Sequence, residues 1–280
     1  MNRPLAGRRM VITGATRGIG LATARGLAGL GADLVLVGRD PQRTAQAATS
    51  VRDQGGGGEV SHRVADLSRL GEVRHLAAGL LDDDLPIHVL LNNAGATFSG
   101  RQVTEDGIEQ TFALNHVSPF LLTTSLLPKL RDCVPARVIT VASDAHSLAH
   151  FNERRVRRGG GFLAYCHSKL CNILFTRELA LRISADGIDA NCLMPGLVRS
   201  GFGHNDGLLM RTLVTLGSPF MISAEMGART SIHAAASTDL QGVTGQYFRN
   251  LGVVQPSRAA RDDDAALRLW GISEEIVRAS

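Results

Sequence analysis

Aromatic side chains are scarce, at 4% of the 280 residues, so any core must be built mainly from aliphatic residues and alanine. Lysine is scarcer still: the basic residues are almost all arginine, with lysine only at Lys129 and Lys169. Four cysteines (Cys133, Cys166, Cys171 and Cys192) form no CxxC pair and no Cys/His spacing. That excludes a disulfide framework or a structural zinc site and leaves small buried thiols of a reducing compartment. No apolar run suits a membrane span. The longest uncharged stretch, Thr111 to Pro128, is broken by Asn115, His116, Ser118 and two prolines and reads as a buried helix. Met1 to Arg9 has no signal-peptide apolar region. These absences predict a soluble cytoplasmic protein without an integral membrane anchor. The net charge is only +4, and the cluster Glu153 to Arg158 has neither interleaved aromatics nor a sustained basic face. It reads as a solvated loop, and nucleic acid is not an expected partner.

What the chain does have is apolar content, 44%, arranged in short runs that alternate with helical segments. Met10–Ile12, Asp33–Val37, Val60–Val64, Ile87–Leu91, Arg137–Val141 and Ile188–Leu193 read as strands. Helices are predicted over Ile19–Leu30, from about Pro41 to Arg52, from about Thr104 to Leu130, and from the Tyr165 segment to about Ser184. Continuous apolar strands separated by helices predict a parallel sheet covered on both faces. The expected fold is therefore α/β, a Rossmann-type doubly wound sheet of about seven strands, in one domain spanning 1–280. In such sheets ligands bind beyond the carboxyl ends of the strands, where the strand order reverses. The candidates from Gly14 onward, with Arg39, Asp66, Asn92, Ser143 and Pro195, each follow a strand and all fall at that one predicted address.

Thr13 to Gly20 (TGATRGIG) follows a strand and opens a helix. Glycines at 14, 18 and 20 would allow a tight turn, close backbone approach to a pyrophosphate and close packing of helix on strand. The helix N-terminus would favour the anion. The spacing is G-x-x-x-G-x-G, and the plain alternative is an ordinary strand–helix turn. At the end of the second strand an acid would mark NAD, whereas an arginine accommodates a 2′-phosphate. Arg39 stands there, 19 residues after Gly20, with Arg17 in the turn to join it. Asp40 could be the ribose acid displaced by one position, but it also reads as a helix N-cap before Pro41. The two arginines favour NADP(H).

Tyr165 and Lys169 share one helical face at i and i+4. A phenol ordinarily titrates near 10, and a cation beside it favours the phenolate. Any helix carries such a pair by chance, so its meaning depends on the company it keeps. His146, His150 and His167 lie near it in sequence without a ligand pattern and read as structural or solvent-facing.

Together these residues give a family resemblance. Over nearly its whole length the chain resembles the short-chain dehydrogenase/reductase family, through TGATRGIG, Asp66-Leu67, Asn92-Asn93-Ala94-Gly95, Asn115, Ser143, Tyr165-x-x-x-Lys169 and Pro195-Gly196. It is similar to the retinol dehydrogenase branch, often retinaldehyde reductases, in LAYCHSKLCNILFTRELALRI (163–183), PGLVRS (195–200), Gly245–Phe248 and the final LRLWGISEEIV. The resemblance implies Tyr165 as general acid and Lys169 as the group lowering its pKa and holding the nicotinamide ribose. It implies Ser143 on the substrate carbonyl and Asn115 on a relay water. Gly14, Thr16, Arg17, Gly18, Ile19, Gly20 and Arg39 would bind the cofactor, with Asp66 and Leu67 at the adenine and Asn92, Asn93, Ala94 and Gly95 lining the cleft. Pro195, Gly196, Val198 and Ser200 would contact the nicotinamide and phosphates. Ser143 and Tyr165 are 22 positions apart, wider than in many members, implying a substrate loop near 144–162. The apolar, glycine-broken stretch near 201–223 is expected to be a substrate lid. The N-terminal anchor common in animal retinol dehydrogenases is absent, which points away from a membrane-dissolved retinoid. The expectation is an NADPH-dependent reductase of a lipophilic aldehyde or ketone, retinal-like or of polyketide type, reversible as an alcohol dehydrogenase and assembled as a homodimer or homotetramer. The alternative is a catalytically silent NADP-binding regulator, which would be expected to lose the reaction residues this chain keeps.

Overall fold

The central strands are buried along their whole length in the computed structural model, which describes residues 3–196 and 222–280. β1 (Arg9–Thr13), β4 (Val89–Asn92) and β6 (Ile188–Met194) have no exposed residue, as strands covered on both faces require. With β2 (Asp33–Gly38), β3 (Val60–Val64), β5 (Ala136–Val141), β7 (Tyr247–Arg249) and β8 (Gly252–Val253) they form one sheet in the order β3-β2-β1-β4-β5-β6-β7-β8. β1 to β7 pair in parallel, and β8 adds an antiparallel edge beyond the seven expected strands. The chain runs from β1 out to β3, then returns to place β4 beside β1. Strand order reverses there, opening a crevice at the carboxyl ends of β1 and β4.

Successive strand residues feed two cores. Met10 and Ile12 join Leu34, Leu36, Val89 and Leu91 on one face. Val11 joins Val35, Val37, Leu90 and Val138 on the other. The first core is closed by α1 (Gly18–Gly29), α2 (Pro41–Asp53) and α8 (Ala224–Ala236), through Ala24, Leu27, Ala47, Val51 and Ala234. The second is closed by α3 (Leu70–Asp82), α5 (Ser118–Arg131), α7 (Gly161–Arg182) and α9 (Asp263–Ala279), through Leu76, Leu122, Leu174 and Leu269. Three of the scarce aromatics meet where α5, α7 and α9 pack together. Phe120 and Phe175 lie 5.0 and 6.0 Å from Trp270, ring centre to ring centre.

One helix departs from expectation. The stretch predicted to be helical from about Thr104 begins only at α4 (Gln110–Phe112). Gly107 takes a left-handed φ of +77°, and the Thr104 N–H bonds the Ile108 carbonyl at 2.8 Å, folding 104–108 into a turn. Glu109 then caps α4 by accepting from the Phe112 N–H at 2.8 Å. Ala113–Val117 continues as a π-helical turn before α5. α6 (Glu153–Arg158) lies between β5 and α7, and no helix among the described residues is long and apolar enough to cross a membrane.

Candidate active site

The glycine turn has the backbone its glycines allow. Gly14 and Gly18 sit at φ +65° and +55°, a region costly for side-chain-bearing residues. A Cβ on Gly20 would lie 2.3 Å from the Gly14 carbonyl oxygen and 2.5 Å from Asn93 Nδ2, and one on Gly14 2.8 Å from the Ala94 Cα. The first turn of α1 is therefore pressed against β1 and the loop after β4. Thr13 stitches these together: its Oγ accepts from the N–H groups of Asn93 and Ala94, each at 3.0 Å. At the N-terminus of α1, Arg17 makes no side-chain cap and the first turn holds no acid. That leaves main-chain N–H groups and the positive helix end available to an anion.

Gly38 brings the end of β2 against this turn, since a Cβ there would meet Thr16 Cγ2 at 2.4 Å and Thr44 Oγ1 at 2.5 Å. Arg39 follows and is exposed, as is Arg17. Among the described residues neither side chain has an ion-pair or hydrogen-bond partner. Asp40 is the N-cap of α2, accepting from the Arg43 N–H at 2.8 Å. Its carboxyl is held below the usual carboxylate range by that bond. Asp66 lies just beyond β3, where the Ala65 N–H reaches the Gly38 carbonyl at 3.0 Å. Its carboxylate accepts from the N–H and hydroxyl of Ser68 at 3.0 and 2.8 Å. Leu67, Asn92 and Ala94 line a small cavity with Thr13.

Asn115 stands on the π-helical turn, a deviation that re-aims side chains and recurs at functional sites. Its amide clamps the main chain of Ala96 from both sides: Oδ1 accepts from the N–H and Nδ2 donates to the carbonyl, each at 2.9 Å. Nδ2 also donates to Ser168 Oγ at 2.9 Å, and Ser168 donates to the Tyr165 carbonyl at 2.8 Å. Gly95 is the close contact of the set, because a Cβ on it would lie 3.2 Å from Lys169 Nζ and 3.3 Å from Asn115 Oδ1. Lys169 itself donates to the Val141 carbonyl at 2.8 Å and places its ammonium 5.6 Å from the centre of the Tyr165 ring. Ser143, two residues beyond Val141, accepts from the Ala145 N–H through its Oγ at 3.2 Å and interacts with the Tyr165 phenol in the sense that lowers its pKa. Asn115, Ser143, Tyr165 and Lys169, spread over 55 residues of sequence, thus converge at the mouth of the crevice beside Gly95.

Burial governs the charges. It pushes the Tyr165 phenol up to about 12, against a lowering by Ser143. It brings Lys169 down to about 8. The ammonium is close enough to the ring to favour a phenolate, yet desolvation is the larger effect. The phenol is therefore a protonated acid at neutral pH, a different balance from the lowered pKa expected of the pair.

Pro195 and Gly196 follow β6. Gly196 takes φ +95°, and its N–H lies 3.0 Å from Met194 Sδ. Val198, Ser200 and positions 201–221 of the expected lid lie outside the described residues. Thr13, Gly38 and Ser168 are site residues to which sequence reasoning gave no role. Ser168 carried a usable signal, since it sits three residues after Tyr165 on the same helix.

A doubly wound sheet, a glycine turn opening onto a helix N-terminus and a half-buried Ser143 beside buried Tyr165 and Lys169 define a dinucleotide-linked oxidoreductase. The comparisons with known proteins agree. The family model for short chain dehydrogenases matches residues 8–207, and the chain belongs to that family. Human retinol dehydrogenase 12 is 40% identical over 282 residues, covering 99% of this chain and 88% of that protein. A crystal structure of a protein from Mycobacterium paratuberculosis is 35% identical with a TM-score of 0.78, covering 98% of this chain and 94% of that one. A short-chain dehydrogenase from Sphingobium yanoikuyae, solved in complex with NADPH, is 27% identical with a TM-score of 0.67, covering 80% and 82%.

Proposed function

We propose that the protein is an NADPH-dependent carbonyl reductase, reversible as an alcohol dehydrogenase, acting on a lipophilic aldehyde or ketone. The observation that carries this reading is the buried Tyr165 hydroxyl, with Ser143 beside it and backed by the Lys169 ammonium. A dinucleotide fits the residues present. Gly14, Gly20 and Gly95 let the main chain pack where a Cβ would collide with Ala94, Gly14 and Lys169, and the open N-terminus of α1 suits a pyrophosphate. The uncommitted guanidiniums of Arg17 and Arg39 suit a 2′-phosphate, and the NADPH complex of the Sphingobium relative supports the same choice. When bound, the nicotinamide supplies the hydride that adds to the carbonyl carbon. Tyr165 gives its hydroxyl proton to the carbonyl oxygen, and Ser143 donates a hydrogen bond to that oxygen as negative charge builds on it. Lys169 holds the nicotinamide ribose hydroxyls and supplies positive charge behind the phenol. Because the Asn115 amide is spent on Ala96 and Ser168, its contribution to a proton relay falls to its main-chain carbonyl.

An apolar substrate is supported by surface beside Tyr165. The Phe162 ring stacks 6.2 Å from the tyrosine ring, and Phe162 and Leu163 remain 42% and 55% exposed. Phe162 ends the 144–162 segment, which we read as the substrate loop, and Leu163 follows it. The names of the retinol dehydrogenase relatives make retinal-like aldehydes one substrate class, with polycyclic ketones the other. Following NADPH oxidation with retinal, aliphatic aldehydes and polycyclic ketones tests the reading. Turnover of at least one, with NADPH favoured over NADH at least about tenfold as one good phosphate contact implies, is the expected result. A folded, cofactor-binding protein that reduces none of them contradicts it.

A further inference from the structure

A serine on a loop needs something to hold its hydroxyl on Tyr165, and the surroundings of Ser143 supply it. His146 is buried, at 1% exposure. Its Nδ1 lies 2.7 Å from the Ser143 carbonyl oxygen, and its Nε2 faces the main-chain N–H of Ser257 at 3.1 Å. A main-chain N–H can only donate, so Nε2 is the unprotonated nitrogen and Nδ1 carries the hydrogen that goes to Ser143. Two backbone groups far apart in the chain thus fix one tautomer, and both ring nitrogens are spent, leaving neither for acid–base work on a substrate.

The chain has only two tyrosines, and the second, Tyr247 on β7, braces this contact. Its ring meets the His146 ring edge-on, with centroids 5.3 Å apart. Its hydroxyl donates to Asp144 Oδ1 at 3.2 Å, and Arg249 approaches the other Asp144 oxygen at 3.5 Å. The loop carrying Ser143 is therefore held at two residues, Asp144 and His146, by the last parallel strand and the segment leading into α9.

We propose that His146 is a positioning residue for Ser143: by tying the Ser143 main chain to Ser257, with Tyr247 and Asp144 as its brace, it keeps the serine hydroxyl on Tyr165. The inference rests on the reading that Ser143 and Tyr165 act on the carbonyl oxygen. The reason for such a tether is geometric, since misplacing a catalytic group by an ångström costs up to about a hundredfold in rate.

A double-mutant cycle tests whether His146 acts through Ser143. In the wild-type background, His146→Leu is expected to lower kcat for carbonyl reduction about tenfold and leave the KM for NADPH within about twofold, the pattern of a lost transition-state interaction. In the Ser143→Ala background the same substitution is expected to change kcat by less than about twofold, because the group it positions is already gone. His146→Gln, which can both donate and accept, should recover most of the wild-type rate. An equal loss in both backgrounds, or no loss in the wild type, overturns the proposal. Should His146→Leu fail to fold, Ser257→Pro takes its place in the cycle. It removes the donor N–H at a φ of −54° that proline accepts. If Ser143→Ala alone costs nothing, the carbonyl-reductase reading of the site falls and this proposal with it. If Ser143→Ala is damaging but the cycle shows no coupling, only this proposal falls.

Discussion

Lys169 donates a 2.8 Å hydrogen bond to the main-chain carbonyl of Val141, tying α7 to the end of β5 two residues before Ser143. This lysine is buried, at 4% exposure, and burial brings its ammonium down to about 8. Tyr165, pushed up to about 12, stays protonated well above that. The group that loses its proton first is thus the lysine. kcat/KM for carbonyl reduction should be level from about pH 6 to 7.5 and fall as pH rises through about 8, where the cation behind the phenol is lost. A profile that stays level to about pH 10 contradicts this assignment.

Arg39 and Arg17 have no ion-pair partner among the described residues, and both are exposed at the end of the crevice where β2 meets the glycine turn. A charge-assisted bond to a phosphate contributes about 1.5–3 kcal/mol, or about 10- to 100-fold in affinity. Arg39→Ala should raise the KM for NADPH by that factor and leave the KM for NADH nearly unchanged. An equal rise for both cofactors removes the 2′-phosphate from the role given to Arg39.

Two glycines of α1 make a paired prediction. A Cβ on Gly20 would lie 2.3 Å from the Gly14 carbonyl oxygen, whereas one on Gly29 meets nothing within 4 Å. Gly20→Ala should cost about 1–3 kcal/mol of stability through overpacking and weaken NADPH binding in a fluorescence titration. Gly29→Ala should be neutral or stabilising by up to about 1 kcal/mol. Equal effects of the two in denaturant unfolding would show that the turn does not press on β1 as described.

His116, next to Asn115 on the π-helical turn, is fully buried and bonds Ser273 Oγ of α9 at 2.9 Å. Burial lowers it from its ordinary 6.5 to about 3. Between those values the unfolded chain takes up a proton that the folded protein refuses, so stability falls as pH drops below about 6.5. At about pH 5 the loss relative to neutral pH should approach 2 kcal/mol from this residue, at about 1.4 kcal/mol per pH unit. His116→Gln should remove about that much of the difference between unfolding free energies at the two pH values. An unchanged difference contradicts the assignment.

The sheet and the address of the site were legible because both depend on local patterns. Continuous apolar runs mark strands buried on both faces, and β6 extends its predicted run by one residue, to Met194; the mixed run Val60–Val64 is the half-buried edge strand. The glycine spacing at 14, 18 and 20 carries its own steric reason. The π-helical turn at Ala113–Val117 was not legible, since one extra residue per turn scarcely disturbs a helical apolar pattern. Nor was the late start of α4, where Gly107 and the Glu109 cap outweigh the helical propensity of their neighbours. The grip of Ser257 and Tyr247 on 143–146 spans more than a hundred residues, and no local pattern encodes it. The burial of Tyr165 was equally hidden, so the direction of its pKa could be read only from the fold.

The central claim is that Tyr165 delivers the proton while Ser143 and Lys169 hold it ready. Replacing Tyr165 with Phe removes the hydroxyl and keeps the ring that lies beside Phe162 and Lys169. The most direct measurement is steady-state NADPH oxidation by the Tyr165→Phe protein with the best carbonyl substrate, alongside an NADPH binding titration. The account predicts cofactor affinity within a few-fold of wild type and a kcat lower by at least about 100-fold, the contribution typical of a positioned general acid. Turnover at the wild-type rate by a protein lacking that hydroxyl would contradict it.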